Sequence, residues 1–182
     1  MKKFYAGIGS RETPLYIQDR MTEIASSLEE KGYALRSGNA IGADQAFAKG
    51  VKTEAQIWLP FIGFNTGFSS RYTKHIYEVI YPDDKEAYES IAKFHPNPKK
   101  LNHNGIRLMA RNFRQIVGRE GQDNSEFVIL WTPEGKCVGG TGQAWRIADS
   151  FNIPVYNLFS LSNDDVFKAI ENKHYKLDEQ FS

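Results

Sequence analysis

Three glycine-rich stretches carry the residue types that hold phosphates: Gly7-Ile8-Gly9-Ser10-Arg11, Ser37-Gly38-Asn39-Ala40-Ile41-Gly42-Ala43-Asp44 and Gly139-Gly140-Thr141-Gly142. Glycine lets a backbone approach a ligand closely. A helix that starts after such a stretch offers unpaired N–H groups and a positive dipole end. Ser10, Ser37 and Thr141 add hydroxyls, and Arg11 adds a planar cationic fork matched to phosphate. Asp44 has two readings: it bonds neighbouring N–H groups at its helix start, or it accepts from a ribose hydroxyl.

The elements that must position these stretches follow from periodicity. Phe4–Ile8 is a short apolar strand. Thr13-Pro14 then opens a helix, with Pro14 at its first position. Ile17, Met21, Ile24, Ala25 and Leu28 share one helical face, and Gly32 ends that helix. Residues 33–36 and 55–60 read as further strands, separated by a helix closing near Gly50. The region 61–82 is irregular and aromatic (Phe61, Phe64, Phe68, Tyr72, Tyr77, Tyr81), with core filling or base stacking as its two uses. Helices are expected over 83–94 and 105–118. A strand over 126–131 leads into a glycine-rich loop over 132–142, then a helix over about 143–151. A strand over 153–159 and a helix capped by Asn163 complete the pattern. The alternation predicts an α/β fold: a single Rossmann-like domain over 1–175, its mostly parallel sheet flanked by helices, with 176–182 as a flexible tail. In such sheets ligands sit at the carboxyl ends of the strands, where all three stretches fall.

The chain of 182 residues has a net charge of +1, so any nucleic-acid role must rest on a local patch. One such patch runs from Lys99 and Lys100 through Arg107, Arg111 and Arg114 to Arg119, without an acid between them. On a helix, Arg107, Arg111 and Arg114 fall opposite Met109, Phe113, Ile116 and Val117. That face is either solvated or a wall for anions. His75, His95 and His103 lack metal-ligand spacing, so no metal and no cofactor are expected. Cys137 stands alone, without an identified histidine partner. The amino-terminal segment lacks a signal-peptide pattern and no apolar run approaches the ~20 residues of a membrane span, so a cytoplasmic protein is expected.

The three stretches, with Ala110-Arg111-Asn112 leading to Ile116, resemble the SLOG superfamily over about residues 3–160. That superfamily unites DprA/Smf-like DNA-processing proteins with LOG-like phosphoribohydrolases. The resemblance implies a Rossmann-like fold and a nucleotide or phosphate site at Gly9, Ser10, Arg11, Ser37, Gly38, Asn39, Gly42, Asp44, Arg111, Gly139, Gly140, Thr141 and Gly142. It also implies a homo-oligomer, a dimer or larger. Two departures matter. Where the LOG-like enzymes carry a glutamate after PGGxGT, this chain has Arg146, which cannot act as a base near neutral pH. Asn39 stands where a second glycine is common, and asparagine tolerates the left-handed backbone. Three functions follow as expectations. The first is binding, without turnover, of a nucleotide-derived signal, ADP-ribose-like or a cyclic nucleotide. The second is DprA-like single-stranded DNA binding. The third is a nucleotide N-glycosidase or phosphoribohydrolase in which Asp44 or Glu12 replaces the missing base.

Overall fold

Strand by strand, alternate side chains feed two separate cores. In the computed structural model, β1 (Lys3–Gly7), β2 (Tyr33–Ser37), β3 (Gln56–Leu59), β4 (Ile76–Val79), β5 (Val128–Leu130) and β6 (Val155–Asn157) form one sheet. All its pairings are parallel, in the order β4-β3-β2-β1-β5-β6. Tyr5, Leu35, Ile57 and Ile129 point to one face. There they meet α1 (Leu15–Glu30), α2 (Ala43–Gly50) and α6 (Asn163–Gln180) through Met21, Leu28, Phe47 and Val166. Ala6, Trp58, Val128 and Leu130 point to the other face, under α3 (Lys85–Phe94), α4 (His103–Val117) and α5 (Gly139–Ser150). Burial on both faces is why the central strands read as continuous apolar runs. The structure describes residues 2–65, 75–120 and 122–180, with side chains through Asn172.

The expected Rossmann-like domain is present, and the predicted face of α1 is the buried one: Ile17, Met21, Ile24, Ala25 and Leu28. Four boundaries differ from expectation. Pro14 is the residue before α1 rather than its first helical residue; its carbonyl accepts the N–H groups of Ile17 and Gln18, both at 3.0 Å. The aromatic region holds an edge strand, β4, whose partly exposed residues Ile76–Val79 lack the apolar run of the inner strands. The glycines Gly139–Gly142 are the first turn of α5 and not a loop. Ser162, not Asn163, caps α6: its hydroxyl accepts from Asp165 N (3.1 Å), while Asp165 accepts from Ser162 N (3.0 Å). Asn163 instead accepts from Arg20 Nε at 2.8 Å, tying α6 to α1.

The strand order reverses once. From β1 the chain builds outward through β2 and β3 to β4, then returns across the sheet to place β5 on the free side of β1. The segments leaving β1 and β5 therefore diverge to opposite faces and open a crevice between them. That is where ligands lodge in open parallel sheets.

Candidate functional site

The crevice is a cavity of about 450 Å³ over the carboxyl ends of β1 and β5. Its walls come from Ile8–Glu12 after β1, Ala40 and Asp44 near α2, Leu108, Met109, Arg111, Asn112 and Gln115 of α4, and Thr132, Pro133 and Val138–Thr141 after β5.

The first stretch closes on itself as it leaves β1. The Ser10 carbonyl accepts from Thr13 N (3.2 Å) and Thr13 Oγ1 (2.6 Å), and the Ser10 hydroxyl accepts from Glu12 N at 3.1 Å. This tight turn leaves Arg11 and Glu12 exposed on the cavity wall. Gly9 packs so close to α2 that a Cβ there would lie 2.6 Å from Ala43 Cβ.

The second stretch mostly builds the wall from behind. Ser37 is fully buried, and its hydroxyl donates to Gly7 O at 2.7 Å, so it is not offered to a ligand. Asn39 takes the left-handed backbone at φ 59°, as expected of asparagine, and Gly42 does so at φ 89°. Arg111 Nη1 donates to Gly38 O, and a Cβ at position 38 would overlap that same nitrogen. Of this stretch Ala40 and Asp44 reach the cavity; Ser37, Gly38, Asn39 and Gly42 lie outside its lining. Asp44 Oδ2 accepts from Ala40 N at 3.1 Å and lies 3.6 Å from Arg111 Nη1, with both side chains buried. Burial pushes the Asp44 carboxyl up, against the pull of Arg111, the N–H groups of Ala40 and Gly9, and the charge of Arg11. Burial likewise pushes Arg111 down, opposed by Asp44 and helped by Arg11. Asp44 therefore bonds its own loop, the first of its two readings.

The third stretch turns a helix start toward the cavity. The first helical bond of α5 runs from Gly142 N to Val138 O at 2.8 Å. The N–H groups of Gly139, Gly140 and Thr141 precede it, at the positive end of the helix. Asn112 holds this turn in place: its Nδ2 donates to Gly140 O (3.0 Å) and to Gln143 Oε1 (2.9 Å). Arg146, at the position of the missing glutamate, is a strut. Its Nε donates to Phe94 O at 2.7 Å and its Nη1 to Cys137 O at 3.4 Å. Cys137 is exposed, and its Sγ donates to Gly142 O at 3.2 Å in the same turn.

The fold divides the row of arginines on α4: Arg111 stands on the cavity wall and Arg114 away from it. Arg111 and Arg114 are buried. Arg114 makes a two-pronged pair with Asp84, Nε to Oδ2 at 2.8 Å and Nη2 to Oδ1 at 2.6 Å, with Glu86 at 3.2 Å. Arg119 pairs with Glu78, and Arg107 lies outside the cavity lining. The reason is tertiary: α3 brings Asp84 and Glu86 to Arg114, α2 brings Asp44 to Arg111, and β4 brings Glu78 to Arg119. Helical spacing shows that the arginines share a face but not what covers it. In the aromatic region Phe64 is core, Phe61 and Tyr77 pack partly buried against it, and Tyr81 is exposed. Phe61 and Phe64 meet edge to face, Phe64 is buried beside Arg111, and Phe68 and Tyr72 lie outside the described residues. Sequence reasoning missed Leu108, Met109, Gln115, Thr132 and Pro133 in the lining, since nothing local distinguishes them from core residues. Asn112 had a signal in its place beside Arg111, but not its role as a brace.

Among the described residues, no helix is long and apolar enough to cross a membrane. No family model matches the chain, and no curated protein matches it. Among solved structures, the chain is similar to DNA processing protein A from Helicobacter pylori, a structure described for its single-stranded DNA binding mode. The two share 18% identity at a TM-score of 0.62, over 86% of this chain and 65% of that one. This chain thus spans just under two thirds of that protein's length, and what the likeness shows is a common α/β fold.

Proposed function

We propose that the crevice between β1 and β5 binds a backbone phosphate of single-stranded DNA. The observation that carries this reading is the amino-terminal turn of α5. Three N–H groups that precede its first helical bond lie on the same cavity as Arg11, which makes no hydrogen bond among the described residues. A phosphate there accepts from Gly139, Gly140 and Thr141 while the Arg11 fork closes on it from β1. The Asp44–Arg111 pair sets the spacing between the two sides without being a cation free for the ligand. The likeness in fold to a single-stranded DNA-binding protein supports choosing this ligand.

A second reading, a free nucleotide-derived ligand that is ADP-ribose-like or cyclic, has its own support. The cavity volume lies within the ~300–1,000 Å³ of small-molecule pockets, and Arg111 and Arg114 of α4, which could track a longer backbone, are already paired. The N-glycosidase reading has less. Asp44 and Glu12 are the carboxylates on the cavity, Asp44 is held by Arg111 and Ala40 N–H, and Glu12 is left without a partner acid.

Fluorescence anisotropy with a labelled oligothymidylate, competed by unlabelled mononucleotides, ADP-ribose and cyclic dinucleotides, tests the choice. The strand is expected to bind, and Arg11→Ala to weaken it by about 1.5–3 kcal/mol, the value of a charge-assisted contact. Full competition by one small nucleotide at far lower concentration moves the assignment to the second reading. Unchanged affinity in Arg11→Ala removes Arg11 from the site.

A further inference from the structure

Six large apolar side chains stand exposed at the carboxyl edge of the sheet, each on a segment that leaves a different or adjacent strand. Ile62 follows β3, Ile41 follows β2, Leu15 and Tyr16 follow β1, Val138 follows β5 and Phe159 follows β6. Their exposures run from 49% at Val138 to 79% at Ile62. In the order of the sheet, β3-β2-β1-β5-β6, the segments that carry them leave five neighbouring strand ends in a file. At about 4.8 Å per strand the file is about 19 Å long.

We infer that this file is a platform for unpaired nucleobases flanking the phosphate in the crevice. The inference rests on the reading above and deepens it. Continuity is the argument. Val138 lines the cavity itself, and Ile41 lies in the chain beside Ala40, which also lines it. Leu15 and Tyr16 begin α1 directly after the turn that presents Arg11. Phe159 leans on Gly135 of the segment after β5, with its Cδ1 3.0 Å from where a Cβ would stand. The loop carrying Ile62 is tied to the second glycine stretch, since Asn39 Nδ2 donates to Phe64 O and Asn65 Nδ2 to Asn39 O, both at 3.1 Å. The file is thus anchored to the cavity on both sides. Large apolar side chains gathered on one water-exposed edge beside a cavity fit a binding surface. Stacking on Tyr16 and apolar contact with the aliphatic members suit bases of any sequence.

The test compares two labelled strands of about 12 nucleotides, within the site sizes of single-strand binding folds: oligothymidylate and a phosphodiester strand of the same length without bases. Each is titrated against the native protein, Tyr16→Ala, an Ile41→Ser/Ile62→Ser double variant, and Arg11→Ala. The native protein is expected to prefer the strand with bases about 10-fold or more. Tyr16→Ala and the double variant are expected to lose that preference, keep their affinity for the baseless strand and melt at the native temperature. Arg11→Ala weakens both strands. Equal native affinity for the two strands overturns the platform and leaves the phosphate reading standing. Failure to bind either strand overturns both. A native dimer in sedimentation that the Ile41→Ser/Ile62→Ser variant dissociates, with its base preference unchanged, assigns the face to contact between copies of this chain and overturns the platform.

Discussion

Arg111 is the residue on which the second wall of the crevice depends. Its guanidinium reaches Asp44 at 3.6 Å and the Gly38 carbonyl, and all of this is buried. Arg111→Ala would leave the Asp44 charge without its cation in a dry site, so a loss of about 3–5 kcal/mol is expected in urea unfolding. Gly38→Ala is expected to destabilise too, because its methyl group would occupy the space of the guanidinium. Asp84 offers a cleaner electrostatic test. Burial alone would raise its carboxyl, but the Arg114 hydrogen bonds, the Ala87 N–H and the Arg114 charge outweigh it and hold it below the usual value of 3.8. A depressed carboxylate contributes stability above its unfolded value and loses it as pH falls through the folded one. The native protein is therefore expected to lose stability below about pH 4, whereas Asp84→Asn is less stable by about 1.5–3 kcal/mol at pH 7 and flatter below pH 4. Urea midpoints measured across that range check both, and parallel curves for the two proteins would remove the Asp84–Arg114 pair from the account.

At the scale of the element, α5 distinguishes glycines that only permit a helix start from those that locate it. A Cβ at Gly140 would meet the flexible tip of Met109, Cε at 3.1 Å. Gly140→Ala is expected to be neutral or to add up to about 1 kcal/mol through helix propensity. A Cβ at Gly142 would lie 2.6 Å from the backbone carbon of Cys137, which cannot yield without moving the segment before the helix. Gly142→Ala is expected to lower the melting temperature and weaken strand binding together. Comparing the two variants by calorimetry and anisotropy separates loss of the turn's geometry from loss of a glycine as such. If both variants bind like the native protein, the α5 turn is not the phosphate site.

At the scale of the whole molecule, Arg11 and Arg111 are the cations on the crevice lining, and the arginines around it are mostly paired. Arg111, Arg114 and Arg119 are each paired with a carboxylate. Strand binding is therefore expected to depend weakly on salt, with log K against log salt falling by about 1–2, the slope for one to three phosphates on a single strand. A slope steeper than about 4 in an anisotropy series over salt would mean that a longer positive track exists elsewhere. Charge imbalance inside the fold is handled in the same local way. Arg36 in β2 is fully buried, and burial pushes it down to about 10. It is stacked 3.9 Å over Phe4 and bonded to Gln56 Oε1 and Asp123 O, both at 2.8 Å, so it braces the approach to β5 rather than the site.

Local patterning carries the fold. Apolar runs of strand length, the helical face of α1 and glycine after β1, β2 and β5 suffice for an α/β sheet with three stretches at its carboxyl edge, because each of these is a property of neighbouring residues. The left-handed backbone at Asn39 belongs to the same class. What tertiary structure decided is which of those stretches faces the cavity. Ser37 and Gly38 look like ligand groups in the chain, yet one bonds Gly7 and the other makes room for Arg111. The arginines of α4 look like a basic face until α3 supplies Asp84 and Glu86 to Arg114 and α2 supplies Asp44 to Arg111. The edge strand β4 and the start of α5 at Gly139 depend on partners distant in the chain, Gln56–Leu59 for the one and Asn112 for the other. A sequence determines what each segment can form alone. Pairing of charges, burial of hydroxyls and the lining of a crevice depend on which segments meet, and only the packed chain brings them together.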